Sequence, residues 1–158
     1  MTVRRLIPTS PLTTMKKSAK KSPTKKPSKK PLTPYLPERY SWIDEYCRNL
    51  KGCVGEYNIE WDVTRYMLHG KFFVLIMQNP QRERIITLKL EPGYGHLLRL
   101  NHKDVTPGYH MNKKHWNSIS LEGNFSDDLL EELIDESYNI LLASFSKKTQ
   151  AEILEERS

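Results

Sequence analysis

Between Pro107 and Asn117 the chain gathers groups suited to chemistry on a phosphate or a nucleobase. Tyr109, His110, Met111, Asn112, Lys113, Lys114, His115, Trp116 and Asn117 follow a Pro107-Gly108 turn, with no acid among them. Lys113 and Lys114 suit phosphate oxygens, Asn112 and Asn117 can pair with base edges, and the rings can stack. His110 and His115 serve as neutral hydrogen bonders or weak cations, according to pH. Plainer roles compete with these. Pro107-Gly108 is a turn whatever the function, and Trp116 heads an apolar strand, which suits a core position. The two histidines share an expected loop with no Cys or carboxylate beside them, so no metal site is expected. Nor does the chain contain a glycine-rich phosphate loop or a nucleophile beside an obvious base, so no catalytic residue and no cofactor is expected.

A second group of cations lies far from the first. Lys16, Lys17, Lys20, Lys21, Lys25, Lys26, Lys29 and Lys30 come in pairs separated by Ser, Ala, Thr and Pro. Residues 1–37 hold ten Lys/Arg, seven of the ten prolines and no Asp or Glu, giving +10; residues 38–158 carry −4. A segment so charged and so poor in large apolar groups cannot offset the entropy of ordering its backbone, which predicts a disordered tail over 1–37 and a domain over 38–158. Paired lysines on a flexible strand can follow phosphates and release counterions, or they can act only as a solubilising extension. Met15 offers a second translation start that keeps all eight lysines. The net charge is further divided inside the domain, +3 over 38–121 and −7 over 122–158. No run of 18 apolar residues is present, no signal peptide is expected, and two cysteines cannot build a disulfide framework. A cytoplasmic protein is the expectation, with association with the nucleoid a further option.

The elements that must position these groups follow from periodicity. Ser41 as cap with Asp44 three residues on, then Ile43, Tyr46, Cys47 and Leu50, predict a first helix closed by Gly52. Cys47 and Cys53 flank its end, where burial is their expected fate. Glu56 to Gln78 reads as strand, with a His69-Gly70 turn, and Arg84–Leu90 adds another after Asn79-Pro80-Gln81. Three antiparallel strands in a meander result. A short helix at 94–101, strands at Tyr109-His110 and Trp116–Leu121 joined by a polar loop, and a long helix capped by Ser126 complete the order. Lys147-Lys148 is expected near the end of that helix, with 151–156 an exposed extension. The fold class is α+β: a five-stranded antiparallel sheet in the order α-β-β-β-α-β-β-α, with helices on one face.

The run Pro107 to Asn117, continued through Ser118-Ile119-Ser120-Leu121-Glu122-Gly123 and Leu133-Ile134-Asp135-Glu136-Ser137-Tyr138, strongly resembles the MmcQ/YjbR family. That family's pattern is Gly-Tyr-His-Met-Asn-Lys-x-His-Trp-Asn, then Asp-Gly or Glu-Gly, then Leu-Ile-Asp-x-Ser-Tyr, and Ser146-Lys147-Lys148 is similar to its Pro-Lys-Lys close. The likeness runs from about Trp42 to Leu154. It implies a two-layer, secretion-chaperone-like or double-wing fold, described as DNA-binding from shape and charge. Pro92-Gly93 and Gly95 depart from the regular helix usual before the motif, and the basic N-terminal segment lies outside the pattern. Ser22-Pro23-Thr24-Lys25-Lys26 separately resembles the Ser-Pro-Lys-Lys elements of linker-histone tails.

These readings converge on a non-enzymatic protein that binds duplex DNA with little sequence preference, RNA being a further partner. The tail would supply attraction and Tyr109–Asn117 would dock. Two alternatives stay open: a protein- or peptide-binding module of secretion-chaperone-like fold, and a small-molecule sequestering protein with a slot lined by Trp61 and Phe73.

Overall fold

The computed structural model describes Leu32 and residues 35–155, all within the unit Pro31–Ser158. The eight tail lysines fall outside the described residues. After a 3-10 turn at Glu38–Tyr40, the order is α1 (Trp42–Arg48), β1 (Val54–Asn58), β2 (Val63–Leu68), β3 (Lys71–Gln78), β4 (Arg84–Lys89), α2 (Pro92–Asn101), β5 (Val105–Pro107), β6 (Trp116–Ser120), α3 (Asp127–Ala143) and α4 (Lys147–Glu155). The six strands form one antiparallel sheet in the order β1-β2-β3-β4-β6-β5. The class is the expected α+β, with six strands where five were expected.

The additional strand is β1, which the sequence reading merged from Glu56 onward with the strand that follows, and that merging has a local cause. Val54-Gly55-Glu56-Tyr57-Asn58 is poor in β-branched residues and lies at the sheet edge, where polar side chains are tolerated. Its turn into β2 is held by the Asn58 carboxamide, which accepts from Trp61 N at 2.9 Å, and by Asp62 at φ 53°. Trp61 therefore stands in the turn, 75% exposed, while Phe73 is sealed in the core. The two line no common slot. At the next hairpin His69 and Gly70 both take positive φ, 48° and 79°, the pair of left-handed residues that a two-residue turn requires.

The run Phe72 to Met77 is apolar throughout because both faces of β3 are covered. Opposite Tyr66 and Met67 the register jumps from Val74 to Phe72, a bulge that sends Phe73 and Val74 to the same face. Phe73, Val74 and Ile76 join Ile86, Leu88 and Ile119 beneath the helices, with Ile43 and Cys47 from α1, Leu98 from α2, Leu130, Leu133, Ile134 and Leu141 from α3 and Ile153 from α4. All four helices thus pack on one side of the sheet. The other side has its own small cluster, Leu75, Met77 and Ile85, against which Val63, Phe72, Tyr109 and Met111 pack.

Ser137 repairs the backbone beside the bulge. Its hydroxyl donates to Phe73 O at 2.6 Å and accepts from Lys89 N at 2.9 Å, joining α3 to β3 and β4. Next to it Tyr138 donates to Lys51 O at 2.6 Å and sets its ring edge-on to Phe73, while Tyr46 donates to Asp135 at 2.6 Å. The Asp-x-Ser-Tyr signature is structural in this chain.

Several boundaries move from their expected places. Ser41 makes no side-chain cap, because it continues the preceding 3-10 turn in helical geometry (φ −61°, ψ −20°), and Asp44 is buried, accepting from Tyr66 Oη and Arg48. The helix expected from 94 begins at Pro92, with the Glu91 carboxylate accepting from Tyr94 N at its cap. Tyr109-His110 is a turn rather than a strand, since His110 sits at φ 62°; the strand is β5, just before it. Lys147 and Lys148 open a separate helix, α4, capped by the Ser146 hydroxyl, which accepts from Thr149 N at 3.1 Å. Leu32 and Leu36, on the tail side of the expected boundary at 37, pack against the core.

Candidate nucleic-acid interface

The segment joining β5 to β6 folds over the helix-free side of the sheet. Tyr109 and Met111 anchor it on Leu75, Met77 and Ile85. Its neck closes at Gly108, whose N donates to Trp116 O at 2.8 Å. A Cβ at 108 would stand 2.7 Å from Trp116 Cβ and 3.0 Å from that residue's backbone, so the close approach requires glycine. Trp116 is half-buried and packs on Phe72, ring centroids 5.4 Å apart, as a structural residue would.

Inside the loop, most of the polar groups expected to face a nucleic acid serve the loop itself. The Asn112 carboxamide oxygen accepts from Lys114 N at 2.8 Å and His115 N at 3.2 Å, and its carbonyl accepts from Trp116 N. Lys113 Nζ donates to Gly108 O at 2.7 Å across the loop. Tyr109 N donates to Ser118 Oγ at 3.1 Å, and that hydroxyl pairs with Thr87.

Asn117 departs furthest from expectation. It is fully buried under α2, its Oδ1 accepting from Arg99 and its Nδ2 donating to His115 O at 3.4 Å. Gly95 makes room for it, since a Cβ there would lie 2.8 Å from Asn117 Nδ2. The glycine that departs from a regular family helix is thereby accounted for, and Asn117 presents no edge to solvent.

What remains outward is His110 and Lys114, with Lys113 exposed but its ammonium tied to Gly108 O, His115 half-buried and the Tyr109 ring 4.1 Å from that of His110. The ion pairs among the described residues are Arg39–Asp127, Arg48–Asp44, Arg65–Glu56 and Arg84–Asp62, and neither loop lysine takes part. Beside the loop lies a cleft of about 250 Å³ walled by Asn79, Gln81, Thr106, Tyr109, Lys113 and Ser118 among others, none of them acidic. Sequence reasoning did not reach Asn79, Gln81, Thr106 or Ser118, because only the pairing of β4 with β6 and of β6 with β5 brings those segments together. The acids of α3 lie on the opposite, helical side of the sheet. Among the described residues no helix is long and apolar enough to cross a membrane.

The fold and this braced loop define an α+β protein whose single open sheet carries helices on one side and a motif loop on the other. The YjbR family model matches residues 48–140, more than half of the chain, and the chain belongs to that family. It is 31% identical to the Escherichia coli K12 protein YjbR over 60% of this chain and 79% of that one. With Escherichia coli O157:H7 YbdF it shares 34% identity over 60% of this chain and 75% of that one. Both relatives are described as uncharacterised. A crystal structure of a Deinococcus radiodurans protein superposes with TM-score 0.63 at 26% identity, covering 70% of this chain and 84% of that one. A Pseudomonas syringae protein, TM-score 0.57 and 24% identical over 64% and 97%, shares the fold.

Proposed function

We propose that the chain is a non-enzymatic protein that binds duplex DNA through phosphates, with little reading of sequence. The observation that supports this most is the acid-free cleft beside the loop, with Lys113 on its wall and Lys114 and His110 outside it. A cleft of about 250 Å³ admits a phosphodiester unit. The Gln81 amide on its wall suits phosphate oxygens, whereas Asn79 is held by Glu83 and the Thr106 hydroxyl donates to Ser118 O. The lysines of residues 16–30 add sequence-independent attraction, and the compartment this implies is the cytoplasm, at the nucleoid.

Lys114→Glu in the full chain tests the loop, since the Lys114 side chain holds nothing together and the fold should be unaffected. The plot of log affinity for duplex DNA against log salt should lose about 0.9 of its slope for each phosphate contact removed. An unchanged slope and affinity would remove the loop from the interface. Running RNA and single-stranded DNA beside the duplex distinguishes a general phosphate binder from one suited to B-form DNA.

A partner-protein reading has one observation of its own. β1 is an open sheet edge, and Val54 on it and Ile59 and Trp61 in the turn after it are all exposed. Trp61→Ser leaves DNA binding unchanged under the first reading and abolishes capture of a partner chain under the second.

A further inference from the structure

On the far side of the β3–β4 turn lies a second cleft, of about 340 Å³, lined by Tyr35, Asp62, Gln78, Arg82, Arg84 and Glu122. It shares no residue with the cleft beside Lys113, and its chemistry is independent of DNA binding.

Arg84 is its centre. The side chain is only 6% exposed, an uncommon burial for a permanent cation. Nη2 donates to Asp62 Oδ2 at 3.1 Å, and the backbone N donates to Glu122 Oε2 at 2.9 Å. Nη1 is buried with no partner among the described residues. A guanidinium presents a flat fork of donors, and an orphaned arm of a buried one is costly unless an acceptor arrives. Asp62 does not turn to take both arms. It is fixed at φ 53° and receives the Tyr57 hydroxyl at 2.9 Å on its other oxygen.

The walls restrict what that acceptor can be. Arg82 adds a cation, and Gln78 Nε2 is occupied with Arg82 O at 3.0 Å. Asp62 pairs with the Arg84 guanidinium, which compensates its charge, whereas Glu122 accepts only from the neutral Arg84 backbone N and keeps its charge. A dianion such as phosphate would meet two carboxylates. A singly charged carboxylate would meet one spare guanidinium arm and one neighbouring arginine. The Tyr35 ring lies over the guanidinium, its centroid 5.8 Å from Cζ, and that residue is 67% exposed. An exposed ring at that distance can shift at little cost to admit a ligand to the guanidinium.

We infer that this cleft binds a small organic carboxylate of roughly amino-acid size, its oxygens on Arg84 Nη1 and Arg82 and its body against Tyr35. If the bound molecule also carries an ammonium, Asp62 and Glu122 are placed to receive it.

Titrating the full chain, labelled with nitrogen-15, with acetate, glycine and inorganic phosphate at constant pH and ionic strength tests this. Acetate should give saturating shifts at Asp62, Arg82, Arg84 and Glu122, and phosphate should not. Glycine binding more tightly than acetate identifies a zwitterion as the ligand class; equal binding identifies the carboxylate alone. Arg84→Lys should weaken acetate about tenfold or more, the loss expected when a charge-assisted donor is removed. Should that variant fail to fold, Arg82→Gln on the exposed rim is expected to weaken acetate severalfold and Tyr35→Ala to tighten it. Shifts that rise linearly without saturating, phosphate binding as well as acetate, or acetate affinity unchanged in Arg82→Gln would each overturn the inference.

Discussion

Single residues explain why the most recognisable stretch of this sequence says more about folding than about ligands. Gly108, Asn112 and Asn117 invite a reading by their chemistry, yet each is engaged in closing one loop. Only tertiary contact distinguishes the two roles, since an Asn that accepts from backbone N–H groups and one that faces a base look alike in sequence. Gly108→Ala is the sharpest check. The added methyl meets Trp116 at 2.7 Å, against backbone that cannot rotate away, and should cost about 1–3 kcal/mol of unfolding free energy by denaturant titration. Ser137→Ala strips the Phe73 carbonyl and the Lys89 amide of their partner beneath α3, and should cost a comparable ~1–3 kcal/mol.

Of the two cysteines, Cys47 is buried as the sequence suggests, while Cys53 is only half-buried. Burial drives the Cys47 thiol well above its usual range and pushes Cys53 up to about 12. At alkaline pH near the usual thiol range, the Cys53 thiolate fraction is then roughly several hundredfold below that of a free thiol. Alkylation of Cys53 in the native chain should be slowed accordingly relative to a free thiol, and labelling at the free-thiol rate would contradict the raised pKa.

At the scale of elements, what the sequence displays depends on how each element is covered. α3 is legible because its stripe faces one core, and β3 because both of its faces are covered. β1 is not, because an edge strand with one exposed face needs neither period nor propensity. α4 is hidden for another reason: its docking rests on Ile153, and one buried residue makes no periodicity. Ile153→Ala should therefore release α4 selectively. Amide exchange within Lys147–Glu155 should accelerate while that of β3 and β4 holds.

α3 also carries a pH signature. Burial raises the Asp135 carboxyl above its usual 3.8, and the hydrogen bond from Tyr46 only partly opposes it. A carboxyl whose pKa is higher folded than unfolded takes up a proton on folding in the window just above 3.8. The stability it contributes is present below that window and is lost as pH rises through it. Comparing wild type with Asp135→Asn isolates the effect. The difference in unfolding free energy should shift in favour of the Asn variant as pH climbs through the window, and a parallel pair of curves would contradict it.

For the whole molecule, the division of charge read from the sequence acquires a direction in space. Residues 122–158 carry −7, and the described acids of α3 sit on the helical side of the sheet, whereas the loop with Lys113 and Lys114 lies on the other. The sheet lies between the loop and α3, so a phosphate docked at the loop senses the exposed acids of α3 only from a distance, through solvent that screens them. Two single-charge changes then separate a directed interface from a mere response to net charge. Lys114→Gln and Asp128→Asn each alter the total by one unit at an exposed position. If duplex DNA docks at the loop, the first should weaken affinity several times more than the second strengthens it, and the ratio of the two effects should grow as salt rises from low to physiological concentration, because screening removes the distant charge first. Equal and opposite effects at every salt concentration would mean that the protein responds to total charge alone, and that the loop holds no privileged place in binding.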